Sequence, residues 1–356
     1  MASENKTLLA RHGGKPINSS QFSRYNPIGD EEITAANSVL NSGILSDFMG
    51  CRGDKFLGGK HVLELEADAC RYYGVKHAIS VNSWTSGLIA AVGAVGVEPG
   101  DEIIVSPWTM VASATAILHW NCIPVFADID PVSFNISPDE IRKKITANTK
   151  AIIAIDIFGL PCDMNAIKSI AHEFDLKIIA DSAQMPNCVS TPESPFLPDI
   201  GGISLNYHKH IHCGEGGILL TNNDFYAEKL RLIRNHGEAV VQASSPSALS
   251  NIIGYNFRLG EIEAAIATQQ LKKLPNLLVK KKSVAQKISD GLRGLKGLIL
   301  PPSEHFENHS FYILGMKLDL QALAYDRSWI CESLRQEGIE CVLEGYQAIH
   351  LNPIFQ

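Results

Sequence analysis

The chain has 356 residues, of which 45% are hydrophobic and 19% are charged, and its formal net charge at pH 7 is −7. This length and hydrophobic content suit a large domain with a smaller one rather than a single core. The negative net charge gives no electrostatic reason to expect nucleic acid or an anionic membrane as a partner. The favoured class of function is therefore small-molecule chemistry.

Targeting and redox signals point to the cell interior. The first residues contain no apolar stretch long enough for a signal peptide, and no run of 18 apolar residues occurs. The eight cysteines include no CxxC pair, which argues against a zinc ribbon or a disulfide framework. We expect a soluble cytoplasmic protein with reduced thiols, no membrane partner and no metal site.

Short apolar strands alternate along the chain with amphipathic helical segments, a pattern typical of a mostly parallel sheet covered by helices. The predicted strands are residues 77–81, 102–106, 124–129, 151–158, 177–181, 203–207 and 217–221. The predicted helices are residues 84–95, 110–119, 138–145, 163–174, 224–235, 260–274 and 278–292. The predicted fold class is therefore α/β, with a mostly parallel mixed sheet between helices.

Pro275 interrupts the helical pattern after residue 274, and we place a domain boundary there because proline breaks helix interiors. The predicted organisation is an N-terminal arm (1–28), a large cofactor-binding domain (29–275) and a smaller C-terminal α/β domain (276–356). A strand over residues 311–318 is predicted in the small domain.

Two residues near the end of the predicted sheet indicate the chemistry. Asp181 closes the apolar strand 177–181, at the carboxyl end where open α/β sheets bind ligands. Lys209 follows the strand 203–207 and precedes a glycine cluster. A lysine acts as a Schiff-base residue beside a bound carbonyl compound, and a carboxylate holds a pyridine nitrogen protonated. This pair predicts pyridoxal 5′-phosphate (PLP) as the cofactor.

A phosphate group needs amide donors at a helix start together with hydroxyl groups. The segment 81–88, VNSWTSGL, offers both immediately after the first strand, and Ser83 and Thr85 are the candidate ligands. Ordinary N-capping of the helix is the competing interpretation for both residues.

The motifs, taken in order, resemble those of the DegT/DnrJ/EryC1/StrS family of PLP-dependent aminotransferases, which have the aspartate-aminotransferase fold (fold type I) and usually act on keto sugars. The resemblance extends from about Gly29 to Gln356. Its carriers are VNSWTSGL, PGDEIIVSPWTMVASA, VFADIDPVSFNISP, ADSAQ, SLNYHKHIHCGEGG, RNHG and GYNFRLGEIEAA.

By position, the resemblance implies one role for each matching residue. Lys209 would be the Schiff-base lysine, Asp181 the partner of the pyridine nitrogen, and Gln184 the residue beside the phenolic oxygen of the cofactor. Ser204 would join Ser83 and Thr85 at the phosphate.

Asn256 matches the family residue that reaches the phosphate from the neighbouring subunit, which implies a homodimer with two shared active sites. For the residue that covers the cofactor ring, the register of the segment 106–112 indicates Met110, with Trp108 two residues before it as the alternative.

The chain departs from the family pattern at three places. Trp84 stands between Ser83 and Thr85, where the family usually has a glycine that approaches the phosphate closely, and we expect Trp84 at the cofactor. Asp156 replaces a common histidine, and we expect both changes to face the active site. Relatives typically continue a few dozen residues beyond Gln356, so the small domain is expected to be short.

His208, His210 and His212 alternate around Lys209 and raise the possibility of a metal site. No carboxylate accompanies them at ligand spacing. We expect one of them to line the substrate pocket and the others to be structural.

The resemblance implies transfer of an amino group from an amino acid, glutamate as is usual in the family, to a keto sugar. We expect this sugar to be nucleotide-linked and the reaction to belong to amino-sugar, polysaccharide or antibiotic-type biosynthesis. A cyclitol ketone is an alternative acceptor. A sugar dehydratase of the same fold is a rival, although it would carry histidine in place of Lys209. A regulator that binds the cofactor without turnover is the other alternative.

Overall fold

The computed structural model describes residues 8–188, 198–239 and 252–356. Its centre is a sheet of seven strands: β1 (His77–Val81), β2 (Glu102–Val105), β3 (Ile123–Phe126), β4 (Thr149–Ile155), β5 (Lys177–Asp181), β6 (Ile200–Ser204) and β7 (Gly217–Thr221). The strand order is β1-β7-β6-β5-β4-β2-β3, and β7 runs antiparallel to both of its neighbours. The predicted mixed, mostly parallel sheet is confirmed.

Nine α-helices belong to the described residues. They are α1 (Asp30–Ser42), α2 (Lys60–Tyr73), α3 (Trp84–Ala94), α4 (Ala112–Leu118), α5 (Pro138–Lys144), α6 (Met164–Phe174), α7 (Asp224–Arg234), α8 (Glu261–Leu292) and α9 (Arg327–Gln336). Within these residues no helix is both long enough and apolar enough to cross a membrane.

Successive strand residues point to opposite faces of the sheet, and both faces are apolar. Ile103, Ile153 and Ile179 pack with α3, α4 and α7 on one face. Ile152 and Ile178 pack with α6 on the other face. On this second face α2 and α8 cover the strands β1, β6 and β7. This burial on both faces explains why the strands read as continuous apolar runs.

Local signals explain several helix ends. Ser137 accepts a hydrogen bond from the backbone N–H of Glu140 and so caps α5, as predicted. Gly43 and Gly74 follow α1 and α2 with φ of 71° and 65°, in the left-handed region that glycine adopts without steric cost.

The helix break predicted at Pro275 is wrong, because α8 is a single helix of 32 residues that runs through this proline. Proline removes one backbone hydrogen bond and costs about 3 kcal/mol in a helix interior. Leu271 and Leu274 on one side of Pro275, and Leu278 on the other, are buried in the same cluster. This packing outweighs the local cost. The domain boundary near residue 275 stays a prediction.

Two predicted strands have different bounds in the structure. The strand predicted at 203–207 lies at Ile200–Ser204, because the chain turns after Ser204 to present the next segment. Of the strand predicted at 311–318, only β9 (Lys317–Leu318) pairs, with β8 (Leu298–Ile299). Phe311 has φ of 51°, which ends an extended strand, and the backbone N–H of Ser310 donates to the carbonyl of Gly159.

The described residues before α1 pack on the C-terminal part of the chain. The Arg11 guanidinium donates to the Trp329 carbonyl at 3.0 Å and to Ser333 Oγ at 2.7 Å. Closer to α1, the Tyr25 hydroxyl donates to the carbonyl of His210 at 2.7 Å. These N-terminal residues thus contact α9 and the segment around Lys209.

Candidate active site

A cavity opens at the carboxyl ends of β4, β5 and β6. It is lined by eight of the residues predicted from sequence: Ser83, Trp84, Thr85, Met110, Asp181, Gln184, Ser204 and Lys209. The lining also includes residues that the sequence did not single out, among them Thr109, Ser113, Asn206 and Glu215. Parallel strands end at the same edge of the sheet, which explains how residues so distant in sequence meet here.

Asp181 ends β5, and its side chain is fixed by three hydrogen-bond donors. Oδ1 accepts from Trp84 Nε1 at 2.7 Å and from the backbone N–H of Ala183 at 3.2 Å. Oδ2 accepts from Ser113 Oγ at 2.7 Å. Asp181 is 5% exposed, so these donors replace the water that a buried carboxylate needs. Sequence reasoning missed Ser113, for which the small residues facing the sheet in α4 are the available signal.

Lys209 is buried in the turn that follows β6, where its backbone N–H donates to the carbonyl of Asn206. Burial lowers the pKa of the Lys209 amine, while the negative charge of Asp181 acts in the opposite direction. Its Nζ lies 4.6 Å from the ring centroid of Tyr312, which comes from the C-terminal part of the chain. A desolvated lysine amine in this position is suited to act as a nucleophile. Tyr312 was missed because its segment was predicted as a strand.

The expected phosphate end lies at the start of α3. Ser83 is the N-cap of this helix, and its Oγ accepts from the backbone N–H of Ser86 at 3.1 Å. The competing N-cap interpretation of Ser83 is therefore realised. Thr85 is exposed at the first turn, and Ser204 is buried at the end of β6. Their role as phosphate ligands stays a prediction.

Gln184 makes two contacts through its side chain. Oε1 accepts from the backbone N–H of Phe158 at 2.6 Å, and Nε2 donates to the Tyr346 hydroxyl at 3.0 Å. The Tyr346 ring stacks on Phe158 with an interplanar angle of 8°. Sequence reasoning missed Tyr346, because only the tertiary fold brings this segment to the site.

Of the two candidates for covering the cofactor ring, Met110 lines the cavity and is 57% exposed. Trp108 instead packs edge-on against Tyr346, with ring centroids 6.3 Å apart. The geometry favours Met110 over Trp108 for this role, which stays a prediction.

Asn256 is exposed and lies outside the cavity lining, close to its phosphate end. Its carbonyl accepts from the side-chain amide of Asn82 at 3.4 Å, and its own Oδ1 accepts from Arg258 Nε at 2.9 Å. Asn82 directly precedes Ser83, so Asn256 is placed beside the start of α3 of its own chain.

The three histidines around Lys209 have separate environments. His208 lines the cavity. His210 is fully buried, its Nε2 contacts the carbonyl of Ser310 at 2.9 Å, and burial lowers its pKa to about 3. His212 is half-buried on the side of α8. Among the described residues no group of His, Cys, Asp or Glu could hold a metal ion.

The expectation that Asp156 faces the active site is wrong. Its side chain is fully buried and lies outside the cavity lining, with Oδ2 accepting from Ser182 Oγ at 2.6 Å and Oδ1 from the backbone N–H of Cys162 at 2.9 Å. These two hydrogen bonds hold the carboxyl group in the protein interior.

The residues that line the cavity fit PLP by their chemistry. A fixed carboxylate suits a pyridine nitrogen, a desolvated lysine suits an aldehyde, and hydroxyls at a helix start suit a phosphate. All three are present on one cavity.

The chain is similar to known proteins in sequence and in fold. A model of the DegT/DnrJ/EryC1/StrS aminotransferase family matches residues 32–356. The spore coat polysaccharide biosynthesis protein SpsC of Bacillus subtilis is 29% identical over 92% of this chain and 84% of its own length.

Two solved structures are similar to the whole fold. DesV of S. venezuelae, solved in complex with a ketimine intermediate, is 26% identical with a TM-score of 0.78, over 91% of this chain and 82% of its own. PseC of Helicobacter pylori, an aminotransferase involved in the biosynthesis of pseudoaminic acid, is 27% identical with a TM-score of 0.80, over 95% and 88% of the two chains. The chain therefore belongs to the DegT/DnrJ/EryC1/StrS aminotransferase family and is a PLP-dependent aminotransferase of fold type I.

Proposed function

We propose that this aminotransferase moves an amino group from an amino acid, glutamate, to a keto sugar carried on a nucleotide. The observation that carries the proposal is the convergence of Lys209 and Asp181 on one cavity at the carboxyl edge of the sheet. The family supports a role in amino-sugar biosynthesis.

Lys209 acts twice in this proposal. Its amine would first hold the cofactor covalently, and once an amino donor had displaced it, the free amine would carry a proton from the donor's α-carbon to the cofactor's C4′ carbon. Bound PLP supplies an aldehyde and a protonated pyridine ring that accepts the electron pair of the broken C–H bond. Burial, which lowers the pKa of Lys209, supports both roles because it raises the fraction of neutral amine.

Asp181 keeps the pyridine nitrogen protonated in the proposed reaction. Its donors from Trp84, Ser113 and Ala183 all hydrogen-bond to the charged form of the carboxylate. Ser83, Thr85 and Ser204 bind the phosphate at the start of α3, and Gln184 lies beside the phenolic oxygen.

The acceptor is proposed from the relatives and from the open mouth of the cavity. PseC is an aminotransferase involved in the biosynthesis of pseudoaminic acid, and SpsC is a spore coat polysaccharide biosynthesis protein. Two polar side chains, the half-buried Asn206 and the exposed Glu215, line the cavity and suit a hydroxylated acceptor. The sugar dehydratase alternative is disfavoured because the lysine is present at position 209.

The proposal includes a homodimer in which Asn256 reaches the phosphate of the neighbouring site. Its exposed side chain near the start of α3 supports a position at a subunit boundary. The eight cysteines form no disulfide, which supports a reducing compartment, the cytoplasm, for this enzyme.

The first test is the absorption spectrum of the purified protein with PLP, before and after glutamate. The proposal predicts a band of bound cofactor that bleaches with glutamate as pyridoxamine phosphate forms. Lys209→Ala should lose the covalent link, detected by borohydride reduction and peptide mass spectrometry. Lys281→Ala is the matched control, because burial also lowers the pKa of Lys281 but its Nζ lies beside Tyr25.

The acceptor is tested separately with protein loaded with pyridoxamine phosphate. Nucleotide-linked keto sugars should restore the original band, and free cyclic ketones should not. A band that stays unchanged with every amino donor would instead indicate a cofactor-binding regulator without turnover.

A further inference from the structure

Trp84 is a large side chain at a crowded position of the active site. It is the first residue of α3, between Ser83 and Thr85, and only 6% of it is exposed. Its main chain therefore belongs to the phosphate end of the cavity. Its indole reaches the other end, where Nε1 donates to Asp181 Oδ1 at 2.7 Å.

The indole ring lies in a slot that glycines make. A Cβ added to Gly202 on β6 would overlap the indole ring, and one added to Gly87 would lie 2.8 Å from Trp84 Cε3. Gly217 on β7 lies under the Trp84 backbone, where a Cβ would be 3.0 Å from Cα. These close contacts hold the ring where its N–H group donates to Asp181.

Trp84 Nε1 can donate a hydrogen bond but cannot accept one. Ala183 also donates to Oδ1 through its backbone, and Ser113 donates to Oδ2. All three of these groups donate to the Asp181 carboxylate. The carboxylate can therefore accept one further hydrogen bond, from a ring N–H in the cavity.

We propose that Trp84 is a positioning residue, whose indole N–H fixes the Asp181 carboxylate in the orientation that binds the protonated pyridine nitrogen of the cofactor. This inference rests on the proposed role of Asp181. Trp84 then affects binding of the pyridine ring of PLP through Asp181, although the backbone of Trp84 lies at the phosphate end of the cavity.

The test separates the two ends of the cofactor with three probes: PLP, pyridoxal without the phosphate, and inorganic phosphate as a competitor of PLP. In Trp84→Phe we expect the affinity for PLP and for pyridoxal to fall about tenfold or more, the loss expected for one hydrogen bond to a charged group. The affinity for inorganic phosphate should stay unchanged. A parallel loss for all three probes would show that Trp84 merely supports α3, and would overturn the inference.

Trp120→Phe is the matched control. The Trp120 Nε1 also donates a 2.7 Å hydrogen bond, but to the carbonyl of Ile89 inside α3 and away from the cavity. We expect this variant to bind all three probes as the wild type does. Equal affinities in Trp84→Phe and Trp120→Phe would overturn the inference.

Two further measurements keep the test decisive if Trp84→Phe folds poorly. Benzothienylalanine introduced at position 84 keeps the size and shape of the indole but replaces its N–H with sulfur, and should show the same loss for PLP and pyridoxal. In an Asp181→Asn background, Trp84→Phe should cause no additional loss, since a residue that acts through another is not additive with it. Additive losses, or wild-type binding by the benzothienyl variant, would contradict the inference. Failure of the wild type to bind PLP would instead contradict the proposed function.

Discussion

The backbone N–H of Asp156 donates to the carbonyl of Asp181 at 3.1 Å, so two buried aspartates lie side by side at the ends of β4 and β5. Only Asp181 lines the cavity. Burial raises the pKa of Asp156 to about 7, and the nearby charge of Asp181 contributes in the same direction. Of these two neighbouring carboxyl groups, that of Asp181 lines the cavity and that of Asp156 has its pKa raised to about 7.

The first prediction concerns stability and pH. The pKa of Asp156 is raised on folding, so the unfolded chain loses this proton first and the free energy of unfolding falls between about pH 4 and pH 7. A shift of this size lowers the free energy of unfolding by about 4 kcal/mol above pH 7. Below pH 4 it has no effect, because Asp156 is protonated in both the folded and the unfolded state. Asp156→Asn should therefore be more stable than the wild type at pH 8 by an amount that disappears toward pH 4.

Urea denaturation of both proteins at several pH values measures this difference. A difference between wild type and Asp156→Asn that is constant over this range would show that Asp156 does not change its protonation state on folding.

The second prediction concerns catalysis by Asp181. Asp181→Asn keeps a hydrogen-bonding side chain beside Trp84 and Ser113 but removes the negative charge opposite the pyridine nitrogen. We expect the rate of the half-reaction with glutamate to fall about 100- to 1,000-fold, the usual cost of losing one electrostatic stabiliser. Stopped-flow absorbance of the cofactor band measures this rate. Asp156→Asn is the control. An equal loss of rate in both variants would contradict a specific role of Asp181 in this half-reaction.

The third prediction concerns the buried ion pair of Arg234 and Glu66. Arg234 is fully buried, and Glu66 Oε1 accepts from its guanidinium and from the backbone N–H and hydroxyl of Ser80. Glu66→Gln leaves the arginine charge uncompensated and should cost about 3–5 kcal/mol of unfolding free energy. Glu173→Gln, which breaks the exposed pair with Arg142, should cost less than about 1 kcal/mol.

Chemical denaturation of both variants compares these costs, and PLP titration of the folded proteins should give wild-type affinity. A small effect of Glu66→Gln would mean that the Arg234 charge finds another partner.

The fourth prediction concerns the shared active site. If Asn256 serves the neighbouring subunit, a mixed dimer of Lys209→Ala and Asn256→Ala subunits contains one intact site. Mixing two inactive variants should then restore roughly a quarter of the wild-type activity, because half of the dimers are mixed and each has one of two sites intact. Activity that stays at the level of the separate variants would place Asn256 in the site of its own chain.

Local sequence patterns were sufficient for much of the fold. All seven central strands were predicted from their apolar runs, which are largely buried except in the edge strand β3. Ser137 was recognised as a helix cap from its immediate neighbours. The motif order identified the family, and Lys209 and Asp181 were placed at a common edge because parallel strands end together.

Other features depend on contacts between residues distant in the chain. Continuation of α8 through Pro275 follows from its packing against other helices, a term that local propensity does not contain. Ser113 reaches Asp181 from α4, and Tyr312 and Tyr346 reach Lys209 and Gln184 from the C-terminal part of the chain. No residue close to Tyr312 or Tyr346 in the sequence signals these contacts. The bond between Trp84 and Asp181 joins positions 97 residues apart through a slot of glycines. The sequence by itself thus determined the strands, the caps and the family. The tertiary structure alone decided how the Asp181 carboxylate is held, because side-chain hydrogen bonds depend on distances that only packing sets.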